Sequence, residues 1–182
     1  MAEGAGTIAI ELTHDTEPLD AIFVPLGNGA LVNGVGTWIK HHAPTTRVIA
    51  VCAQTAPSMA LSFEAGKAIT APSRTIADGI AVRVPVPEAV DAMANTVDEV
   101  MLVTDDEMLQ SMPDLLEDAG LVVEPAGAAG VAAIRKRAQE FQNKRVAAIL
   151  TGGNLTAQQI AEWLTGAPGR RGGRARRGDP AR

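Results

Sequence analysis

A chain of 182 residues with 46% apolar content is long enough for a domain with a substantial buried core. No apolar run reaches the roughly 18 residues needed to cross a bilayer, and Met1-Ala2-Glu3-Gly4 lacks a basic and apolar leader, so a cytosolic (cytoplasmic) chain with no membrane contact is expected. The formal charge of -5 is unevenly spread: after Leu164, Arg170, Arg171, Arg174, Arg176, Arg177 and Arg182 face Asp179 alone, so that tail carries +5 and residues 1–164 carry -10.

A body this acidic repels nucleic acid and leaves any polyanion binding to the tail. Cys52 is the single cysteine, which excludes an internal disulfide and a thiolate metal cluster. His14, His41 and His42 lack ligand spacing, since neighbours on a helix point about 100° apart.

In chain order, residues 21–26 (Ala-Ile-Phe-Val-Pro-Leu) read as a buried strand. A glycine-containing turn and a helix over 31–41, ending before Pro44, follow it. Residues 47–51 read as a second strand and 57–65 as a helix stopped by Gly66. A third strand is expected over 99–103. Thr104-Asp105-Asp106-Glu107 then opens a helix over 105–119 with a capping box, closed by Gly120 and interrupted at Pro113 as two short helices or a kink. A helix starting at Pro125 or Ala126 and running to about Gln142 precedes a fourth strand over 145–150 and a last helix over 156–164. Short apolar strands alternating with helices predict an α/β fold: a three-layer, open, mainly parallel sheet with helices on both faces. Residues 1–165 are expected to form this unit. Residues 166–182, rich in arginine and glycine, have no apolar periodicity and read as a disordered tail.

The turn after the first strand, Gly27-Asn28-Gly29-Ala30-Leu31, puts small or left-handed-tolerant residues where backbone N–H groups can converge on an anion at a helix N-terminus. Glycine used only for a tight connection explains the same residues. A dinucleotide fingerprint does not fit, because Val32 stands at the third glycine position and the second strand ends at Cys52 in place of an acid. No Lys-Ser or Lys-Thr follows the glycines, so a P-loop does not fit either.

Five stretches occur in order: Gly-Ala-Gly-Thr-Ile-Ala-Ile-Glu-Leu (4–12), Val-Pro-Leu-Gly-Asn-Gly-Ala-Leu (24–31), Thr-Ile-Ala-Asp-Gly-Ile-Ala-Val (75–82), Glu-Pro-Ala-Gly-Ala (124–128) and Leu-Thr-Gly-Gly-Asn (150–154). Together they resemble the fold type II pyridoxal-phosphate enzymes, the tryptophan synthase beta-like superfamily, and within it the threonine/serine dehydratase branch that includes serine racemase. The resemblance covers about residues 3–164. It implies pyridoxal 5'-phosphate as cofactor, an amino-acid substrate and a lyase (ammonia-lyase) reaction in amino-acid metabolism. It makes Gly27, Asn28, Gly29, Ala30 and Leu31 the cup for the cofactor phosphate, although Asn28 and Ala30 depart from the family's run of glycines. It makes Thr151 the hydroxyl partner of the pyridine nitrogen, where the plainer alternative is a cap on the loop before the last helix. Glu124 corresponds to a carboxylate near the cofactor ring, or is an ordinary first-turn acid. Asp78-Gly79 shapes the pocket or a subunit contact, or is a plain turn.

The resemblance also requires a lysine that forms a Schiff base with the cofactor, carried in a Ser-x-Lys motif, and a Ser-Gly-Asn-His type loop for the substrate carboxylate. Neither motif occurs here, and Lys40, Lys67, Lys136 and Lys144 read as solvated surface amines. The chain is therefore expected to be the C-terminal half of a larger enzyme, inactive alone, whose partner is a separate N-terminal half or a second copy in a homodimer. A non-catalytic subunit binding the cofactor or another phosphate compound is the alternative. The Arg-rich tail reads either as the product of a reading-frame change or as a nucleic-acid-binding segment. In the resemblance, Cys52 and Ser58 occupy the positions of a divalent-cation site whose family members carry acids, so no metal is expected there.

Overall fold

Four short strands, β1 (Ala21–Pro25), β2 (Arg47–Ala53), β3 (Glu99–Val103) and β4 (Val146–Ala148), form a parallel sheet in the order β3-β2-β1-β4. The computed structural model that shows this describes residues 2–14 and 17–165. The expected disordered tail, 166–182, lies outside the described residues.

The pleat sends alternate residues to opposite faces. Ile22, Val24, Val48, Ala50 and Cys52 enter one apolar layer with α3 (Ala30–His42), α4 (Ser58–Ala65) and α5 (Pro87–Thr96). Two N-terminal helices, α1 (Ala2–Ala5) and α2 (Thr7–His14), lie on α3. Phe23, Ile49, Val51, Met101 and Val103 enter the second layer with α6 (Asp105–Ala119) and α7 (Pro125–Lys136). With both faces covered, the two central strands have nothing polar to alternate, which is why β1 and β2 read as continuous apolar runs. Phe23, Ile22, Ile39, Ile49, Met93 and Met108 are fully buried, and each such side chain contributes about 1.5–3 kcal/mol. This is the fold class expected, an α/β fold with a layer of helices on each side of a parallel sheet.

Several element ends differ from the sequence reading. β2 runs on to Ala53, and β4 is confined to Val146–Ala148. Pro113 does not divide its helix: α6 is continuous from Asp105 to Ala119, with Pro113 buried within it. Its ends are the ones read from the sequence, because Thr104 Oγ1 accepts the Glu107 N–H (3.1 Å), Glu107 Oε2 accepts the Thr104 N–H (2.7 Å), and Gly120 adopts φ 68.

The helix expected to reach Gln142 stops at Lys136, and the chain turns through Asn143 at φ 61. Between the end of that helix and Asn143, Phe141 packs edge-on to Phe23, with ring centroids 5.0 Å apart. The last helix begins as expected after Thr156, with α8 (Ala157–Gln159) continuing into a wider π turn over Ile160–Thr165. Helices α1, α2 and α5 and a 3₁₀ turn at Asp78–Ile80 were not anticipated.

From β1 the chain winds outward through β2 to β3, whereas β4 adds on the opposite side of β1. This reversal opens a crevice beyond the C-terminal ends of β1 and β4, where open α/β sheets characteristically bind ligands.

Candidate functional site

The crevice is built first from the end of β1. Pairing continues as the Leu26 N–H donates to Val51 O (2.8 Å), after which the chain leaves the sheet at Gly27. An ideal Cβ on Gly27 would lie only 2.8 Å from the carbonyl oxygen of Gly79, so two backbones meet there and only glycine fits without movement. Gly29, at φ 88 and ψ -8, is left-handed and starts α3, its carbonyl accepting the Asn33 N–H (2.9 Å). Among the described residues, no protein group accepts a hydrogen bond from the backbone N–H groups of residues 27–31. The Asn28 side chain turns away to accept the Val86 N–H at 3.1 Å, leaving its own backbone amide at the turn. Ala30 is exposed as the first residue of α3.

The opposite wall comes from the start of α7 and the end of β4. Glu124 is the N-cap residue of α7, yet its side chain does not cap that helix. Its N–H donates to Gly152 O (3.0 Å), and its Oε2 accepts the Asn154 N–H (3.2 Å), so the carboxylate is tied to the loop after β4. The last helix is capped by Thr156, whose Oγ1 accepts the Gln159 N–H at 3.2 Å. The Thr151 hydroxyl is exposed and has no protein partner among the described residues.

A cleft of ≈ 310 Å³ is lined by Gly27, Asn28, Gly29, Ala30 and Leu31 on one side and Glu124 and Thr151 on the other, with Pro25, Gly79 and Ile80 between. All seven candidate residues of the sequence reading thus border one space. Pro25 and Ile80 were not anticipated; the Asp78-Gly79 pair beside Ile80 was the available signal. Asp105, also unanticipated, holds the loop that delivers Gly79: Thr75 Oγ1 donates to Asp105 Oδ1 (2.6 Å) and the Ile76 N–H to Oδ2 (3.2 Å).

None of the four lysines lines the cleft. Lys40 is paired with Asp98, Lys136 with Glu107 and Lys144 with Asp20, while Lys67 is exposed. Cys52 Sγ donates to Ala56 O (3.3 Å), and burial pushes its thiol pKa up to about 11. Ser58 Oγ donates to Val82 O (2.8 Å). Among the described residues, no group of three or more His, Cys, Asp or Glu side chains is placed to hold a metal.

Unpaired N–H groups at a helix N-terminus, opposite a free hydroxyl, suit a phosphorylated ligand with a polar atom at its far end. Residues 1–152 match the family described as pyridoxal-phosphate dependent enzyme. The chain belongs to this family. Over 158 residues, 86% of this chain, it is 37% identical to an L-threonine ammonia-lyase of Thermotoga maritima, 39% of whose length is covered. Over 166 residues it is 36% identical to the catabolic L-threonine dehydratase of Escherichia coli, covering 90% of this chain and 50% of that one. Among solved structures, the processed form of threonine deaminase isoform 2 from Solanum lycopersicum superposes with a TM-score of 0.86 at 28% identity, over 92% of this chain and 50% of that chain. Maize serine racemase superposes with a TM-score of 0.79 at 30% identity, over 90% and 51%. The fold is that of the fold type II enzymes of this family. The chain spans about half or less of the length of these relatives.

Proposed function

We propose that this chain is the C-terminal portion of a threonine/serine ammonia-lyase-like enzyme, in which it supplies the phosphate cup and the ring-nitrogen partner for pyridoxal phosphate. The observation that carries the proposal is the cleft itself, where the unpaired N–H groups of residues 27–31 and the unpaired Thr151 hydroxyl share one space. When bound, the cofactor supplies an electron sink for the reacting carbon of an amino acid. The amides of residues 27–31, at the positive end of α3, hold the phosphate dianion. Thr151 hydrogen-bonds the ring nitrogen and, being a neutral hydroxyl, does not hold it protonated, a setting suited to β-elimination from a hydroxy amino acid such as threonine or serine. Glu124, fixed by the Asn154 N–H, sets the wall beside the ring.

The chain alone lacks the lysine that would hold the cofactor covalently and move the substrate proton, and we propose that it is inactive without a separate N-terminal half or a partner copy. That no lysine is among the residues lining the cleft favours a second reading, a non-catalytic subunit that keeps the cup. Incubation with pyridoxal phosphate, followed by ³¹P NMR, borohydride reduction and intact-mass measurement, tests the assignment. A bound phosphate signal lost in Gly27→Ala, without a reduced adduct, supports it. Absence of binding overturns the cup, and keto-acid formation from threonine or serine by the pure chain overturns the claim of inactivity. If binding holds, elimination activity on addition of a segment carrying the Ser-x-Lys motif decides for the split enzyme over the non-catalytic subunit.

A further inference from the structure

Cations are scarce on this acidic body, and most are used up in ion pairs. Lys40, Arg47, Arg135, Lys136, Arg137 and Lys144 each pair with a carboxylate. Lys67, Arg74, Arg83 and Arg145 form no ion pair among the described residues, and the first three lie between α4 and α5, a segment whose single acid is Asp78. Arg74 and Arg83 border a cleft of ≈ 450 Å³ completed by Thr70, Ala71, Pro72 and Ser73, with no carboxylate in its lining.

The backbone of this cleft is pinned. The Ile69 N–H donates to Ser62 Oγ (2.8 Å), the Ala71 N–H to Arg83 O (3.1 Å) and the Arg74 N–H to Thr55 O (2.9 Å). Ser62 Oγ in turn donates to Ser58 O (2.6 Å), which ties the segment to α4. Arg74 and Arg83, carried by stretches of chain joined through the Ala71 N–H and the Arg83 carbonyl, thus border one cleft together with the hydroxyl-bearing Thr70 and Ser73. Arginine's fixed fork binds a tetrahedral oxyanion through two parallel hydrogen bonds, and the bordering hydroxyls can donate to its remaining oxygens. None of the residues lining this cleft lines the cleft at residues 27–31, so the two sites can fill independently.

We propose that this second cleft binds a small doubly charged oxyanion, an inorganic phosphate or a phosphate ester, between Arg74 and Arg83. The proposal stands on the cleft and its unpaired cations and does not depend on the cofactor reading.

The test is a titration of the ¹⁵N-labelled full chain with inorganic phosphate, and separately with glycerol phosphate, at constant ionic strength. Amide signals of residues 70–74 and the Nε–H signals of Arg74 and Arg83 are followed apart from the amides of residues 27–31. A saturable shift at the first set is expected, with the tighter of the two titrants identifying free phosphate or ester as the preferred form. Arg74→Ala and Arg83→Ala should each weaken it by about tenfold while leaving the curve at 27–31 in place. Arg145→Ala removes the same charge from an exposed, unpaired site elsewhere and should leave both curves unchanged. The proposal is overturned if the shift at 70–74 never saturates, if it survives both substitutions, or if Arg145→Ala weakens it as much. Failure of the cofactor reading would register separately, as an absent response at 27–31.

Discussion

Replacing Gly27 by alanine tests whether the contact between two backbones shapes the phosphate cup. The new methyl would sit 2.8 Å from the Gly79 carbonyl oxygen, where ordinary contacts begin at 3.4 Å. Neither side yields freely. Gly27 follows a strand locked to β2, and Gly79 lies in a 3₁₀ turn whose Ile80 is buried and whose approach is held by Asp105. Forcing one methyl into such a contact costs about 1–3 kcal/mol. The movement also misaligns one or two of the cup's amides, each of which contributes about 1.5–3 kcal/mol when bonded to a charged group, so phosphate affinity at 27–31 should fall by at least about tenfold. Urea unfolding gives the stability change, and the residue-resolved phosphate titration gives the affinity. Gly4→Ala is the control, because a Cβ there meets nothing within 4 Å and the residue lies in α1. If Gly27→Ala matches Gly4→Ala in both measurements, the Gly27–Gly79 contact does not shape the cup.

The clamp behind Gly79 predicts that Asp105→Ala lowers stability by about 1–2 kcal/mol and speeds hydrogen exchange at the Ile76 amide, which loses its acceptor. An unchanged Ile76 exchange rate would contradict the clamp. In acid, the Glu107 carboxyl is held below its ordinary 4.5: burial pushes it up, but the Thr104 N–H and Lys136 outweigh that. Asp20 is likewise held below 3.8 by the Arg145 N–H and Lys144, and Glu140 below 4.5 by Arg47. Groups depressed in the folded state stabilise it above their unfolded values, so stability should hold at neutral pH and fall as pH drops from about 4.5 through the folded values. Urea midpoints across this range should fall less steeply for Glu107→Gln, and an identical slope would refute the assignment. The Cys52 thiol, pushed up to about 11 by burial, is protonated at neutral pH. Iodoacetamide should therefore label it far more slowly in native buffer than in urea, and rapid native labelling would show that it is not buried.

Where a feature depends on neighbours along the chain, it was legible from the sequence. Thr104 and Glu107 satisfy each other's backbone donors within one turn and Gly120 supplies the left-handed close, so α6 has the ends read for it. The continuous apolar runs of β1 and β2 likewise announced strands buried on both sides. Helix α5 was missed although Pro87 at its start and Val90 and Met93 at helical spacing were visible, because valine and proline residues at 82–87 mask the change of period. What holds α5 in place is not local: Asn33 Nδ2 donates to Ala89 O (2.9 Å) and Thr96 Oγ1 to Asn33 Oδ1 (2.6 Å), across more than fifty residues.

Residue type and short spacing therefore carried the strands, the capped ends of α6 and the last helix, the order of the five motifs and the family resemblance. That Gly27, Gly79, Glu124 and Thr151 border one cleft follows from the folded chain alone, because it depends on β4 pairing beside β1 on the side away from β2. Strand order is not written in any one strand, since parallel strands can satisfy one another's backbone in several orders; in the folded chain α6 and α7 cover one face of the sheet and α3 and α5 the other. The second cleft at Arg74 and Arg83 has the same origin: nine residues apart in the chain, the two arginines border one cleft because the Ala71 N–H bonds the carbonyl of Arg83.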